Sequence, residues 1–156
     1  MTIKLDKPVK WIFMGRRQFK ARFGENLQAW HLGRRTTKQH YIILPYKSST
    51  IVKLHELGHA VHGHCSVNPI FYKDLIVREF DAETFALKCM GKEVTAEALF
   101  RRVVELLVND NFRLHPVFKF VKEYLEKRMT LSDTDVKKLW EYTRIIIECK
   151  KENENE

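Results

Sequence analysis

Three groups capable of metal chemistry occur within one short segment, His55-Glu56-Leu57-Gly58-His59. Residues four apart lie almost above one another on an α-helix, so one helix can direct both histidine side chains at a single metal ion. The carboxylate of Glu56 lies one position round from His55, beside the ion, where it can take a proton from water. The pattern therefore predicts a hydrolytic zinc centre, with His55 and His59 as ligands and Glu56 as general base.

A third ligand is needed, because a catalytic zinc ion takes three protein ligands and keeps its fourth position for water. Glu79 is the candidate, since it interrupts an otherwise apolar stripe on a later predicted helix, where an ionised carboxylate is costly unless a cation compensates it. Glu83 lies one turn further on the same face and is predicted to accept a hydrogen bond from a ligand histidine. The alternative for Glu79 is an ordinary ion pair with Arg78 or a nearby lysine. The stripe is formed by Leu75, Ala82 and Ala86.

Other potential ligands fit less well. His62 follows His59 by three residues and is predicted to line the cleft or to support a ligand from behind. Cys65 lies six residues beyond His59; in the extended metzincin motif a ligand at that spacing follows a glycine, where this chain has His62, so Cys65 is predicted to be structural. Asp81 lies about 200° round its helix from Glu79 and should point away. The histidines that spacing alone cannot pair are His31, His40 and His115.

The elements that would position these residues begin with a short predicted strand at residues 9–14. Residues 16–23 are ambiguous and are compatible with a short helix. Two further predicted strands, residues 27–32 and 40–44, bracket a basic loop and indicate a β-hairpin. The sequence thus predicts a small N-terminal antiparallel sheet, and Pro45 ends its last strand or marks it as an edge.

The rest of the chain has helical periodicity, so the predicted fold class is α+β. Residues 48–50 are candidate N-caps of the helix that carries the two ligand histidines, and Gly63 is its predicted end. A stripe that includes Gly58 should pack on the core, and the stripe of Val52 and the ligand histidines should face a cleft. The later helices are predicted at residues 70–90, 95–108, 116–128 and 133–148.

The composition is that of a soluble globular protein: 156 residues, 44% hydrophobic and 31% charged, with no apolar run as long as a membrane span. We expect one domain over residues 1–149 and a polar tail over residues 150–156. The N-terminus lacks the apolar stretch of a signal peptide. Three scattered cysteines favour a reducing compartment, so a cytoplasmic location is expected.

Positive charge is concentrated near the N-terminus. Residues 1–50 carry eleven Lys or Arg and two acidic residues, a net charge of +9, whereas residues 51–156 have a net charge of −1. Such a surface favours an acidic protein substrate or nucleic acid as partner. Arg34 and Arg35, in the predicted hairpin loop, are candidate substrate-binding residues. A basic face without a specific partner is the alternative.

The two metal-ligand segments together resemble the gluzincin class of zinc metallopeptidases. Within that class, residues 40–90 are most similar to the ImmA/IrrE family, whose third-ligand helix typically reads Glu-x-Glu-Ala-Asn/Asp-x-Phe-Ala. Asp81 and Glu83 differ from that pattern, and residues 50–54 replace its usual Arg-Phe-Thr lead-in. The small soluble minigluzincins are a close competitor, and SprT-like proteases share the layout but use a third histidine that has no counterpart here at suitable spacing. The matching residues are Glu79, Ala82, Phe85 and Ala86.

The resemblance implies a zincin-like α+β fold and a peptidase that holds one zinc ion per chain and cleaves a protein or peptide substrate. The strand at residues 40–45 is then expected to pair with an extended substrate. Two other functions remain open: a zinc-bound regulator, in repressor or stress control, that binds protein or DNA without hydrolysis, and nucleic-acid binding through the basic N-terminal third or the last helices. The candidates for stabilising the oxyanion are His115, Tyr124 and Tyr142.

Overall fold

The computed structural model of the chain describes residue 5 and residues 7–25, 27–65, 72–102 and 114–154. These residues form three β-strands and six α-helices, so the described part of the protein is α+β, as predicted. The strands are β1 (Lys10–Met14), β2 (Trp30–Gly33) and β3 (His40–Pro45). The helices are α1 (Arg16–Phe23), α2 (Thr50–Val61), α3 (Tyr72–Cys89), α4 (described over residues 96–102), α5 (Leu114–Glu126) and α6 (Asp133–Glu154).

The three strands form one sheet in the order β1-β3-β2, so β3 is the central strand. Strands β2 and β3 are antiparallel, with Gly33 opposite His40, and confirm the predicted hairpin. Strand β1 runs parallel to β3, with Lys10 opposite Tyr41, so the prediction of a wholly antiparallel sheet is wrong. The reason is that parallel strands need a crossover connection, and the ambiguous residues 16–23 supply a helix, α1, for it.

The two faces of the sheet pack on different helices, because successive side chains of a strand point to opposite faces. On one face, Ile43 is buried beside Phe19, the buried residue of α1. On the other face, Ile42 and Leu44 are fully buried, and Val52 of α2 packs against them. Val52 therefore belongs to the core and not to a cleft-facing stripe, which corrects the prediction for this side of α2.

Helix α2 begins and ends where the sequence predicts. Ser49 is its N-cap, and the Ser49 Oγ accepts a hydrogen bond from the backbone N–H of Val52 at 3.4 Å. After Val61 the chain turns at Gly63, whose φ of 67° lies in the left-handed region that glycine favours.

Helix α2 lies very close to α3 at Gly58. A Cβ atom built on Gly58 would lie 2.8 Å from the Cα atom and 2.8 Å from the carbonyl oxygen of Ala82. A side chain of any size would overlap these backbone atoms, so the contact requires glycine. The sequence-based expectation that Gly58 faces a neighbouring element is confirmed.

We expect Gly58→Ala to destabilise the protein by about 1–3 kcal/mol, because the added methyl group meets backbone atoms that cannot rotate away. Alanine favours a helix over glycine by roughly 1 kcal/mol. The steric clash should exceed this gain, so we expect the variant to be less stable overall. Urea unfolding followed by circular dichroism measures the difference. Adding Ala82→Gly removes a methyl group but leaves the obstructing backbone, so it should not rescue the variant. A double variant as stable as the wild type would contradict the contact.

Helix α3 is shared by two compact units: its residues up to Phe80 belong to the second unit, and those from Asp81 belong to the first. The first unit contains the sheet, α1 and α2, and the second contains α4, α5 and α6. The second unit has its own core, in which Phe80, Phe100 and Leu125 are at most 1% exposed. The single domain over residues 1–149 stays a prediction.

The later helices lie close to their predicted positions. Helix α3 ends at Cys89, just before Gly91, whose φ of 66° is again left-handed. Helix α6 has the expected capping box, in which the backbone N–H of Ser132 donates to the Asp135 carboxylate at 2.9 Å. It continues to Glu154, past the predicted end near residue 148, because no Gly or Pro follows to stop it. The predicted helix at residues 95–108 lies partly outside the described residues.

None of the helices within the described ranges is long and apolar enough to cross a membrane.

Candidate metal centre

Helix α2 holds the side chains of His55, Glu56 and His59 in the protein interior. Their exposures are 2%, 6% and 8%, although all three are polar or ionisable. The centroids of the two imidazole rings are 4.9 Å apart, the proximity that the four-residue spacing predicts, and the rings lie at 83° to each other. Burying such groups is costly unless they have partners, so this side of α2 is arranged for interactions and not for apolar packing.

Glu79 completes a group of three potential metal ligands. One ligand atom from each of His55, His59 and Glu79 lies within 4.8 Å of the others, and all three residues are buried. Ligand atoms around a tetrahedral zinc ion are separated by about 3.5 Å, so small side-chain movements would close the site. Two imidazoles and one carboxylate are a donor set of catalytic zinc sites. The group can therefore hold a metal ion, and it is the only such group among the described residues.

Hydrogen bonds to Nδ1 orient both histidines. His55 Nδ1 lies 2.7 Å from Oε2 of Glu83, the contact that the sequence predicts. His59 Nδ1 lies 2.9 Å from Nδ1 of His64, and Nε2 of His64 lies 3.7 Å from Oδ2 of Asp81. Metal-binding histidines usually donate their second ring N–H in this way, which fixes the tautomer and the ring orientation. Nε2 is then the nitrogen with which each ligand histidine would hold the ion.

His64 is a candidate functional residue that sequence reasoning missed. The sequence favours His62 for a supporting role; its Nδ1 donates to the carbonyl oxygen of Gly58 at 2.8 Å and its ring stacks on that of His64 with centroids 5.6 Å apart, so that role stays a prediction. The end of α2 explains the position of His64. The chain turns at Gly63, and the backbone N–H of His64 donates to the carbonyl oxygen of His59 at 3.0 Å. This turn, which the glycine signals, directs the His64 ring back to the ligand histidine.

Replacing His64 with alanine should weaken metal binding about 10–100-fold, because the His59 ring loses the partner that orients it. Competition with a chromophoric zinc chelator measures the dissociation constant. The control is Lys92→Ala, which removes an exposed side chain beyond the end of α3, and it should bind metal like the wild type. Equal affinities of the two variants would show that His64 does not position His59.

Glu79 also has an ion-pair partner in the second unit. Arg102 Nε lies 3.4 Å from Glu79 Oε2, and both side chains are largely buried. An ion pair is the alternative that the sequence offers for Glu79, and the structure shows one whose partner lies on α4, a helix that spacing alone could not connect to Glu79. A carboxylate has two oxygens and several lone pairs, so one oxygen can accept from Arg102 while the other faces a metal ion.

Two histidines that the sequence could not pair lie beside the metal-ligand group. The ring of His31, on β2, stacks on the ring of His59 with centroids 5.5 Å apart. His31 Nε2 lies 2.8 Å from His40 Nδ1. The hairpin register, with Gly33 opposite His40, brings both rings to one face of the sheet. Burial lowers the pKa of His40 below its ordinary value and so favours the neutral ring.

The expectation that residues 40–45 pair with a substrate is wrong. These residues form β3, which is hydrogen-bonded to β1 on one side and to β2 on the other. A strand with two partners has no open edge, and an extended peptide can join a sheet only at an edge. The contact between His31 and His59 places β2, an edge strand of this three-stranded sheet, beside a potential metal ligand.

The remaining predicted site residues are not members of the metal-ligand group. Arg34 and Arg35 are exposed at the hairpin turn, where the backbone N–H of Arg34 donates to the carbonyl oxygen of Gln39 at 2.9 Å. Their role in substrate binding stays a prediction. Tyr124 packs in the core of the second unit. The side chains that lie outside the described part of the structure are those of His115 and Tyr142.

No known protein family, curated protein or solved structure matches this chain. The geometry of the metal-ligand group is therefore the basis for a functional conclusion.

Proposed function

We propose that this protein is a zinc-dependent metallopeptidase of the gluzincin class, related to the ImmA/IrrE family, that hydrolyses peptide bonds in a protein substrate. The observation that carries the proposal is the buried group of His55, His59 and Glu79, whose ligand atoms lie within 4.8 Å of one another. Two histidines four apart on a helix, with a glutamate next to the first, are typical of metalloproteases.

The donor set supports zinc as the metal. Two imidazole nitrogens suit zinc, whereas calcium and magnesium prefer oxygen ligands throughout. Three protein ligands without a thiolate are typical of catalytic rather than structural zinc sites. When bound, zinc lowers the pKa of its water molecule to about 7 and polarises a carbonyl group.

Glu56 is the proposed general base. Its carboxylate is buried next to His55 but is not one of the three grouped ligands. It can therefore take a proton from the attacking water and deliver the proton to the leaving amine. Glu83, through its 2.7 Å contact with His55, and His64, through its 2.9 Å contact with His59, hold the two ligand rings in place during both steps.

The proposed substrate is an extended and acidic segment of a protein. Strand β2 lies beside the metal-ligand group, because the ring of His31 stacks on that of His59. Arg34 and Arg35 follow β2 directly and are exposed, so they can attract carboxylate side chains of a substrate.

Cleavage of a complex peptide mixture tests this function. Peptides from a digested cell extract are incubated with zinc-loaded protein, and new termini are identified by mass spectrometry. We expect new termini that disappear after chelation and return with added zinc, with Asp and Glu enriched near the cleaved bonds. Protein that carries zinc but produces no new termini would show that the proposal is wrong.

A further inference from the structure

Three exposed aromatic side chains form a strip on the edge strand β1 and the end of β3. We define this aromatic strip as Trp11, Phe13 and Tyr46, which are 39%, 40% and 63% exposed. The rings are nearly parallel, with centroids 6.5 Å apart at 13° for the first pair and 6.1 Å apart at 16° for the second. Large apolar groups clustered on a surface usually mark an interaction site.

The parallel arrangement follows from the sheet. Trp11 and Phe13 are two residues apart on β1 and so point to the same face. Tyr46 extends that face, because its backbone N–H donates to the carbonyl oxygen of Met14 at 2.9 Å and continues the pairing of β1 with β3. The rings are thus held by backbone hydrogen bonds and present their faces at a fixed spacing.

The aromatic strip belongs to the basic part of the chain, and one lysine lies against it. The Lys53 Nζ lies 5.8 Å from the centroid of the Phe13 ring. Residues 7–65 include eleven Lys or Arg and two carboxylates, Glu25 and Glu56. Glu25 pairs with Lys20 at 3.0 Å, and Glu56 is buried. The charge of this part of the surface is therefore complementary to a polyanion.

We propose that the aromatic strip binds single-stranded nucleic acid, with bases stacked on its rings and phosphates neutralised by the neighbouring lysines and arginines. Binding sites of this kind combine a positive surface with aromatic side chains on which successive bases stack. The three rings are nearly parallel and partly exposed, so bases can stack on their exposed faces. A duplex keeps its bases stacked on each other, which favours single strands here.

Two other partners could bind at the edge strand β1, a second copy of this chain or an extended peptide, and both fit the aromatic strip less well. A second copy of this chain would bring a net charge of +8 against an equal charge. A peptide that joined β1 would pair through backbone groups and would not require three parallel rings. The nucleic-acid site is independent of the metal-ligand group and of the proposed peptidase activity.

Fluorescence anisotropy of a labelled oligothymidylate of about ten nucleotides tests the proposal. We expect the wild type to bind it more tightly than a duplex of the same length, with an affinity that falls as salt rises. Trp11→Ala and Phe13→Ala should each weaken binding about tenfold or more, and Trp11→Phe, which keeps a ring, should retain most of it. The matched control is Trp140→Ala, which removes a 46% exposed aromatic from the second unit and should bind like the wild type.

Several results would overturn the proposal: no binding at low salt, equal binding of duplex, or Trp11→Ala and Phe13→Ala that bind like Trp140→Ala. Dimers in sedimentation that Trp11→Ala dissociates would instead make the aromatic strip a contact between copies. If circular dichroism shows that an aromatic variant does not fold, Lys53→Glu is tested in its place. This variant should bind the oligothymidylate more weakly, and its affinity should depend less on salt concentration. Metal-free protein should bind the oligothymidylate normally, so this test does not depend on the peptidase proposal.

Discussion

Replacing Glu56 with glutamine should abolish peptide hydrolysis while leaving the bound metal in place. Glutamine has nearly the same shape but cannot accept a proton, and general-base catalysis contributes a factor of about 10²–10⁴ to such reactions. The metal should stay, because Glu56 is not among the three grouped ligands. Rates are measured on a peptide identified by the cleavage experiment, and zinc is measured by elemental analysis of the same samples.

The matched control is Glu93→Gln, which changes an exposed glutamate in the same way and should leave the rate unaltered. Glu56→Gln protein that cleaves at the wild-type rate would contradict the assigned base. If the wild type carries zinc, cleaves nothing, and a cellular effect survives Glu56→Gln, the zinc-bound regulator is the correct function and the peptidase is not.

Replacing Glu79 with glutamine should reduce zinc affinity by more than the roughly 10–100-fold expected for loss of a supporting residue. The amide keeps the size of the side chain and an oxygen that can accept from Arg102, which lies 3.4 Å away, so the fold should survive. It removes the negative charge by which this ligand attracts the zinc ion and weakens the oxygen as a donor. Dissociation constants from chelator competition measure the effect.

Glu83→Gln is the matched comparison, because it makes the same change one helical turn further on, at the residue that contacts His55. The expected order of affinity is wild type, then Glu83→Gln, then Glu79→Gln. If Glu79→Gln binds zinc as tightly as Glu83→Gln, Glu79 is not a ligand and its buried carboxylate serves the ion pair with Arg102.

The parts of the candidate site whose arrangement the sequence predicts best are those fixed by the period of one helix. The four-residue spacing of His55 and His59 determines their relative placement, whatever the helix packs against. Glu79 stood out because a carboxylate on an apolar stripe needs a compensating charge, and Glu83 followed one turn later on the same face. These inferences needed no knowledge of the tertiary structure.

The missed features depend on contacts between elements that are distant in sequence. His31 reaches His59 only through the register of the hairpin, and Arg102 reaches Glu79 only through the packing of α4. The direction of β1 was also missed, since alternation of side chains is the same for parallel and antiparallel strands. The role of His64 could be predicted only in part, because Gly63 indicates a turn but not the direction in which that turn places the His64 ring.

The most direct test of the metal centre is the zinc bound per chain after equilibrium dialysis, measured for the wild type and for His55→Ala, His59→Ala and Glu79→Gln. We predict one zinc ion per wild-type chain and almost none in each variant at the same free zinc concentration. A wild type that binds no zinc, or a His59→Ala protein that still binds one ion per chain, would contradict the site on which the proposed hydrolysis depends.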